Sequence, residues 1–145
     1  MLKDIISVAA IETGLEEPVA RHAVGIVFNA AQRQGSDLIE RVFAQVPGAR
    51  TLSASTATRE GSPRSPIAQL IEQTLGGRRH VSFDMFLRLQ RAGLGHAEIA
   101  ALMTSISRVL GTRFSLGETA LLAALFEGST PEMPEEDQGR SSAVA

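Results

Sequence analysis

Six apolar residues, Ile99, Leu102, Met103, Ile106, Val109 and Leu110, recur at the i, i+3, i+4, i+7 spacing that lines one face of an α-helix. This stripe runs without a break through "AGLGHAEIAALMTSISRVL", and the pattern recurs along the chain between Gly, Pro and Ser. No segment shows the period-two alternation of a half-buried strand. A chain written this way reads as all-α, a bundle of six to seven helices.

The punctuation places the elements. Leu2 to about Thr13 is a short helix ended by Gly14; Pro18 suits the first turn of a long helix that Gly35 closes. Ser36 caps "DLIERVFAQV", stopped by Pro47-Gly48. The stretch "ARTLSASTATREGSPRS" lacks periodicity and is rich in Ser, Thr and Gly, so residues 47–65 read as a linker. A short helix over 66–75 ends at Gly76-Gly77, with His80 in the turn after it. Ser82 then caps a helix that runs to Gly93, and a long helix follows from about Ala97 to Leu110. Ser115 and Glu118 form a capping box for a last helix ending near Phe126. The organisation expected is one helical domain over 1–126 and a disordered acidic tail over 127–145.

Gly14 and Gly93 open segments of equal length that begin Gly-Leu and end in Ser, at an offset of 79. Subtracting it maps the Ile99–Leu110 stripe onto Ala20, Ala23, Val24, Val27, Ala30 and Ala31, all apolar. Val42, Phe43 and Val46 map onto Leu121, Leu122 and Leu125. The unit helix, Gly-Leu turn, long helix, Ser cap, short helix is therefore expected twice, over about 2–46 and about 83–126. The first long helix also carries Val19, Ile26 and Phe28 outside the shared stripe. Two readings of that surplus are open: the helix lies at the centre of the bundle, or these three residues form a partner surface.

The chain has 43% hydrophobic residues and no Cys, Trp or Tyr, so its core is aliphatic and thiolate chemistry is excluded. Motifs for nucleotide binding, serine hydrolysis or helical zinc sites are missing, and His22, His80 and His96 stand at unrelated positions. No catalytic, cofactor-binding or metal-ligating residue is expected. Asp4, Asp37 and Asp84 read as carboxylates at helix starts, favoured by the helix dipole. The apolar N-terminal stretch is too short to span a bilayer and is interrupted by Asp4 and Glu12, and a cytoplasmic location is expected.

Charge is uneven. Arg50, Arg59, Arg64, Arg78 and Arg79 outnumber Glu60 and Glu72 over residues 47–80 and form a candidate basic patch. Residues 127–145 carry five acids against Arg140. Segment 93–110 has a helix-turn-helix flavour, but its stripe continues across the expected turn, and the net charge of −2 disfavours nucleic acid. The favoured function is a non-catalytic module that binds a protein partner or itself as a homodimer. The alternative is a nucleic-acid-binding regulator.

The run "FAQVPGA", Phe43 to Ala49, resembles small bacterial all-helical families of unknown function, in which a "GL" helix is followed by an "IPGA"-like turn. "FLRLQRAGL", Phe86 to Leu94, is similar to their second half. The resemblance implies a helical fold and carries over no functional residue.

Overall fold

The computed structural model describes residues 1–62 and 65–114. Among them are seven helices and no strand: α1 (Leu2–Thr13), α2 (Glu17–Arg33), α3 (Asp37–Gln45), α4 (Ala49–Glu60), α5 (Pro66–Glu72), α6 (Leu75–Arg91) and α7 (His96–Phe114). The all-α bundle is thus as expected. The expected last helix with its capping box at Ser115 and Glu118, and the expected disordered tail, fall on residues outside the described ones.

Helix α2 is the axis of the molecule. Its neighbours are α1, α3, α4 and α6, and it buries residues on every side, from Ala20 and Ala23 through Ile26, Val27 and Phe28 to Ala30 and Ala31. Small side chains on its inner stripe let neighbours approach closely. Helix α7 instead lies against α1, burying Ile99, Leu102, Ile106 and Leu110, with ion pairs Arg108–Glu12 and Arg113–Asp4 along the seam. These are the two long helices of the expected duplication. The short helix of its second unit falls outside the described residues.

Local signals account for several boundaries. Gly14 ends α1 in the left-handed conformation, at φ 76°, where a side chain would be strained. The Ser36 hydroxyl accepts a hydrogen bond from the Ile39 amide at 3.2 Å, and Ser65 caps α5 in the same way at Ala68. Glu98 reaches back to the Gly95 amide at 2.7 Å to close the first turn of α7.

Two expectations are corrected. Residues 49–60, read as linker, form the three-turn helix α4. It has no apolar stripe because it buries small polar residues: Ser53 donates to Gln32 Oε1 at 2.9 Å, and Thr56 packs on Gly25. Helices α2 and α4 run antiparallel, with His22 beside Glu60, Gly25 beside Thr56, and Gln32 beside Ser53. A Cβ on Gly25 would collide with Thr56 Oγ1, so glycine sets the closeness of this crossing.

Helix α6 also begins eight residues earlier than Ser82 and Phe83 suggest. Thr74 caps it, accepting from the Gly77 amide at 3.0 Å. Gly76 and Gly77 do not stop a helix; a Cβ on Gly77 would strike the Ile71 carbonyl at the end of α5. Ser82 is then a buried mid-helix residue whose hydroxyl accepts from Gln34 Nε2 at 2.7 Å. His80 lies within the helix rather than in a turn, and Asp84 is far from any helix start.

Candidate functional site

Asp84 belongs to a chain of charges running through the bundle. Arg33, near the end of α2, holds Glu72 of α5 with two nitrogens, Nε at 3.1 Å from Oε1 and Nη2 at 2.6 Å from Oε2. Its Nη1 donates to Asp84 Oδ2 at 3.1 Å, and Arg88 Nε donates to the same oxygen at 2.6 Å. Arg88 Nη1 continues to Glu60, reaching the backbone carbonyl at 2.6 Å and Oε1 at 3.1 Å. Glu60 Oε2 meets His22 Nε2 at 2.9 Å, and His22 Nδ1 faces Arg59 Nη1 at 3.1 Å. A guanidinium offers only donors, so Nδ1 accepts and Nε2 carries the ring proton toward Glu60.

The network ties α2, α4, α5 and α6 together. Arg33 and Glu72 each keep only 8% of their side-chain surface exposed. Burial alone would push the Asp84 carboxyl up, but hydrogen bonds from Arg88 and Arg33, and their charges, hold it below the usual carboxylate range. Burial likewise opposes the Arg33 charge, and Glu72 and Asp84 more than offset it. Carboxylates saturated by guanidinium donors are poor bases and poor metal ligands. Among the described residues no three His, Asp or Glu side chains converge on a metal-sized space.

The surface carries a different feature. Six of the eight exposed large hydrophobic residues described lie on α5 and α6: Ile67, Leu70, Ile71, Phe83, Phe86 and Leu87. Ile67 is 71% exposed and Phe83 64%. Helix α6 has two apolar faces, with Val81, Met85 and Leu89 turned into the core and Phe83, Phe86 and Leu87 turned out. The outer face is continued by Arg79, His80, Gln90 and Arg91, all exposed. The acids of α5 and α6, Glu72 and Asp84, are both engaged in the internal network.

The residues singled out from the sequence fall elsewhere. Ile26 and Phe28 are inside the bundle, 2% and 0% exposed, and Val19 is half-buried against the core. They form no open patch, because α2 is covered on all sides from Ala23 to Ala31 and Val19 packs partly against the core. Phe28 packs edge-on against Phe43, with ring centroids 6.4 Å apart. The four described arginines of the candidate basic patch are not gathered into one face. Arg50 and Arg59 are nine residues apart on α4, half a rotation at 3.6 residues per turn. Arg50 pairs with Glu40 at 2.9 Å and covers the Phe43 ring, while Arg59 turns to His22. Arg78 and Arg79 sit in the first turn of α6, and Arg64 lies outside the described residues.

Helix α7 runs unbroken from His96 to Phe114, so the segment resembling a helix-turn-helix contains no turn after the first helix residue. No helix among the described residues is long and apolar enough to cross a membrane. Compared with family models, curated proteins and solved structures, the chain matches none. The described residues define an α-helical bundle with an internal charge network and an apolar, cation-flanked outer face.

Proposed function

We propose that this chain is a non-catalytic interaction module whose α5–α6 face docks an acidic, apolar-faced helix of another protein. The observation that carries this reading is the exposure of Ile67, Leu70, Ile71, Phe83, Phe86 and Leu87 on two helices in contact with each other. At ~150–250 Å² for a fully exposed side chain of this size, the six present on the order of 600 Å² of apolar surface. That matches the upper range of patches on monomers and approaches the ~800 Å² that one partner contributes to a standard interface.

Charge selects the occupant. Beside its apolar centre the outer face carries His80 and Arg91, and the described acids of α5 and α6 are both engaged in the internal network. A second copy laid on α6 would bring the same His80 and Arg91 to the contact and no described acid to meet them. Acidic side chains flanking an apolar stripe complement the face.

The test uses a labelled amphipathic helix with Leu on one face and Glu on its flanks, and the same helix with Lys for Glu. Fluorescence anisotropy should detect saturable binding of the first, weakened by salt and lost in the double variant Leu70→Ser, Phe83→Ser. Equal binding of the Lys helix would overturn the reading. So would sedimentation showing a dimer that the double variant dissolves, or tighter binding of duplex DNA than of the Glu helix.

A further inference from the structure

A groove of about 760 Å³ lies on the opposite side of α2 from the Arg33 end, between α1, the first half of α2 and α4. Its volume is in the range of sites that enclose small organic molecules. Its apolar lining comes from Leu2, Pro18 and Leu52. Its polar lining wall comes from α4 residues one turn apart, Thr51, Ser55 and Arg59, together with Arg21 and His22 of α2.

The electrostatics of this wall are unbalanced. Arg21 has no ion-pair partner among the described residues, and the one described partner of the Arg59 guanidinium is the His22 ring. His22 adds no charge, because its Nδ1 accepts from Arg59 while its Nε2 proton points to Glu60. The carboxylate of Glu60 is turned away to His22 and Arg88, so it does not neutralise Arg59. Glu17 is the one acidic side chain lining the groove. Two guanidinium groups against one carboxylate leave a single net positive charge beside an apolar wall.

We infer that this groove binds a small organic monocarboxylate, its carboxylate held by Arg21 and Arg59 and its apolar body laid along Leu2, Pro18 and Leu52. A guanidinium presents a planar pair of donors matched to a carboxylate, and the Thr51 and Ser55 hydroxyls supply adaptable hydrogen bonds beside it. One net positive charge suits a monoanion better than a phosphate dianion. Arg59 is presented on a defined side of the groove because His22, itself fixed by Glu60, holds one of its nitrogens. This site is separate from the α5–α6 face and does not depend on the role proposed for it.

Calorimetric titration of the full chain with decanoate, decanol and inorganic phosphate tests the assignment, with NMR locating the response. Decanoate should bind saturably at one site and shift the amides of Thr51 and Ser55. Arg21→Gln and Arg59→Gln should each weaken it about tenfold, the scale of one charge-assisted hydrogen bond. Phe83→Ser should leave it unchanged, which separates the groove from the exposed outer face. Arg21 is exposed, so its variant tests the site without threatening the fold. Binding of decanol or phosphate as tight as that of decanoate would overturn the inference. Indifference to both arginine variants, or no saturable decanoate binding, would do the same.

Discussion

Gly25 shows how one residue sets a helix crossing. In the interior of an isolated helix it costs about 1 kcal/mol relative to Ala. Here the missing Cβ is what lets Thr56 of α4 seat against α2. Gly25→Ala should therefore destabilise by about 1–3 kcal/mol despite its better helix propensity. Adding Thr56→Ala should recover part of the loss, and urea denaturation of the three variants would show it. Asp84 makes a second prediction at this scale. Removing one partner of a buried ion pair costs about 3–5 kcal/mol, so Asp84→Asn and Glu72→Gln should each be strongly destabilising. Replacing Arg33, Glu72 and Asp84 together by Met, Leu and Leu should be far milder, because no charge is left alone. The pH dependence follows from the same geometry. Asp84 binds its proton less tightly folded than unfolded, so its stabilisation is complete above the unfolded value of about 3.9. It is lost as pH falls through the lower folded value. Acid should thus cost the wild type more stability than it costs Asp84→Asn, measured by denaturation at pH steps below about 5.

At the scale of elements, α2 and α7 share a stripe pattern and differ in what surrounds them. Leu102 and Ile106 are 0% and 1% exposed, so Leu102→Ala or Ile106→Ala should cost about 2–5 kcal/mol through lost burial and a cavity. On α2 four of the six matching stripe positions are alanine, and there the change that hurts runs the other way. Ala23→Leu or Ala30→Leu should destabilise by about 1–3 kcal/mol, because both alanines are fully covered by neighbouring helices. A neutral outcome at both would contradict the central position of α2. Helix α6 carries the opposite lesson. Its outward Phe83, Phe86 and Leu87 do no packing within the described core, so Phe83→Ser should change stability by no more than about 0.5 kcal/mol. Thermal denaturation followed by circular dichroism would check it, and a small change would make Phe83→Ser a fold-neutral variant for both binding experiments.

For the whole molecule, one core runs through α1, α2, α3, α6 and α7, with the first residue of α4 at its edge. Beyond Ala49, α4 adds only Leu52 to the apolar packing, and it and α5 are otherwise fastened by polar contacts: Gln32 to Ser53, Asn29 to Ser62 just past α4, and the ion network to Glu60 and Glu72. The molecule is therefore expected to loosen first at α4 and α5, where less apolar surface is buried. Amide hydrogen exchange should rank the centre of α2 as slowest and α5 as fastest of the helices. As pH falls toward the Asp84 transition, protection corrected for intrinsic exchange should drop first where α6 meets the Arg33 end of α2. Uniform exchange across α2, α4 and α5 would mean that the polar contacts are as cohesive as the apolar core.

The all-α class, the cap at Ser36, the stop at Gly14 and the core stripes of α2 and α7 were legible in the sequence, because each depends on residues within a turn or two of one another. Other features were settled by tertiary structure. Helix α4 has no stripe to read, since its buried face is Ser53, Thr56 and Ala49, which earn their burial from partners on α2. Gly77 looks like a stop signal and is in fact a close approach to the end of α5. Asp84 looks like a helix-start carboxylate and becomes the centre of an ion network because Arg33, 51 residues away, arrives beside it. The spacing of Phe83, Phe86 and Leu87 is the spacing of a core face, and so is that of Val81, Met85 and Leu89. Periodicity identifies apolar faces; it does not say which of two will find a neighbour. That choice rests on where α2 lies, and α2 covers only one side of α6.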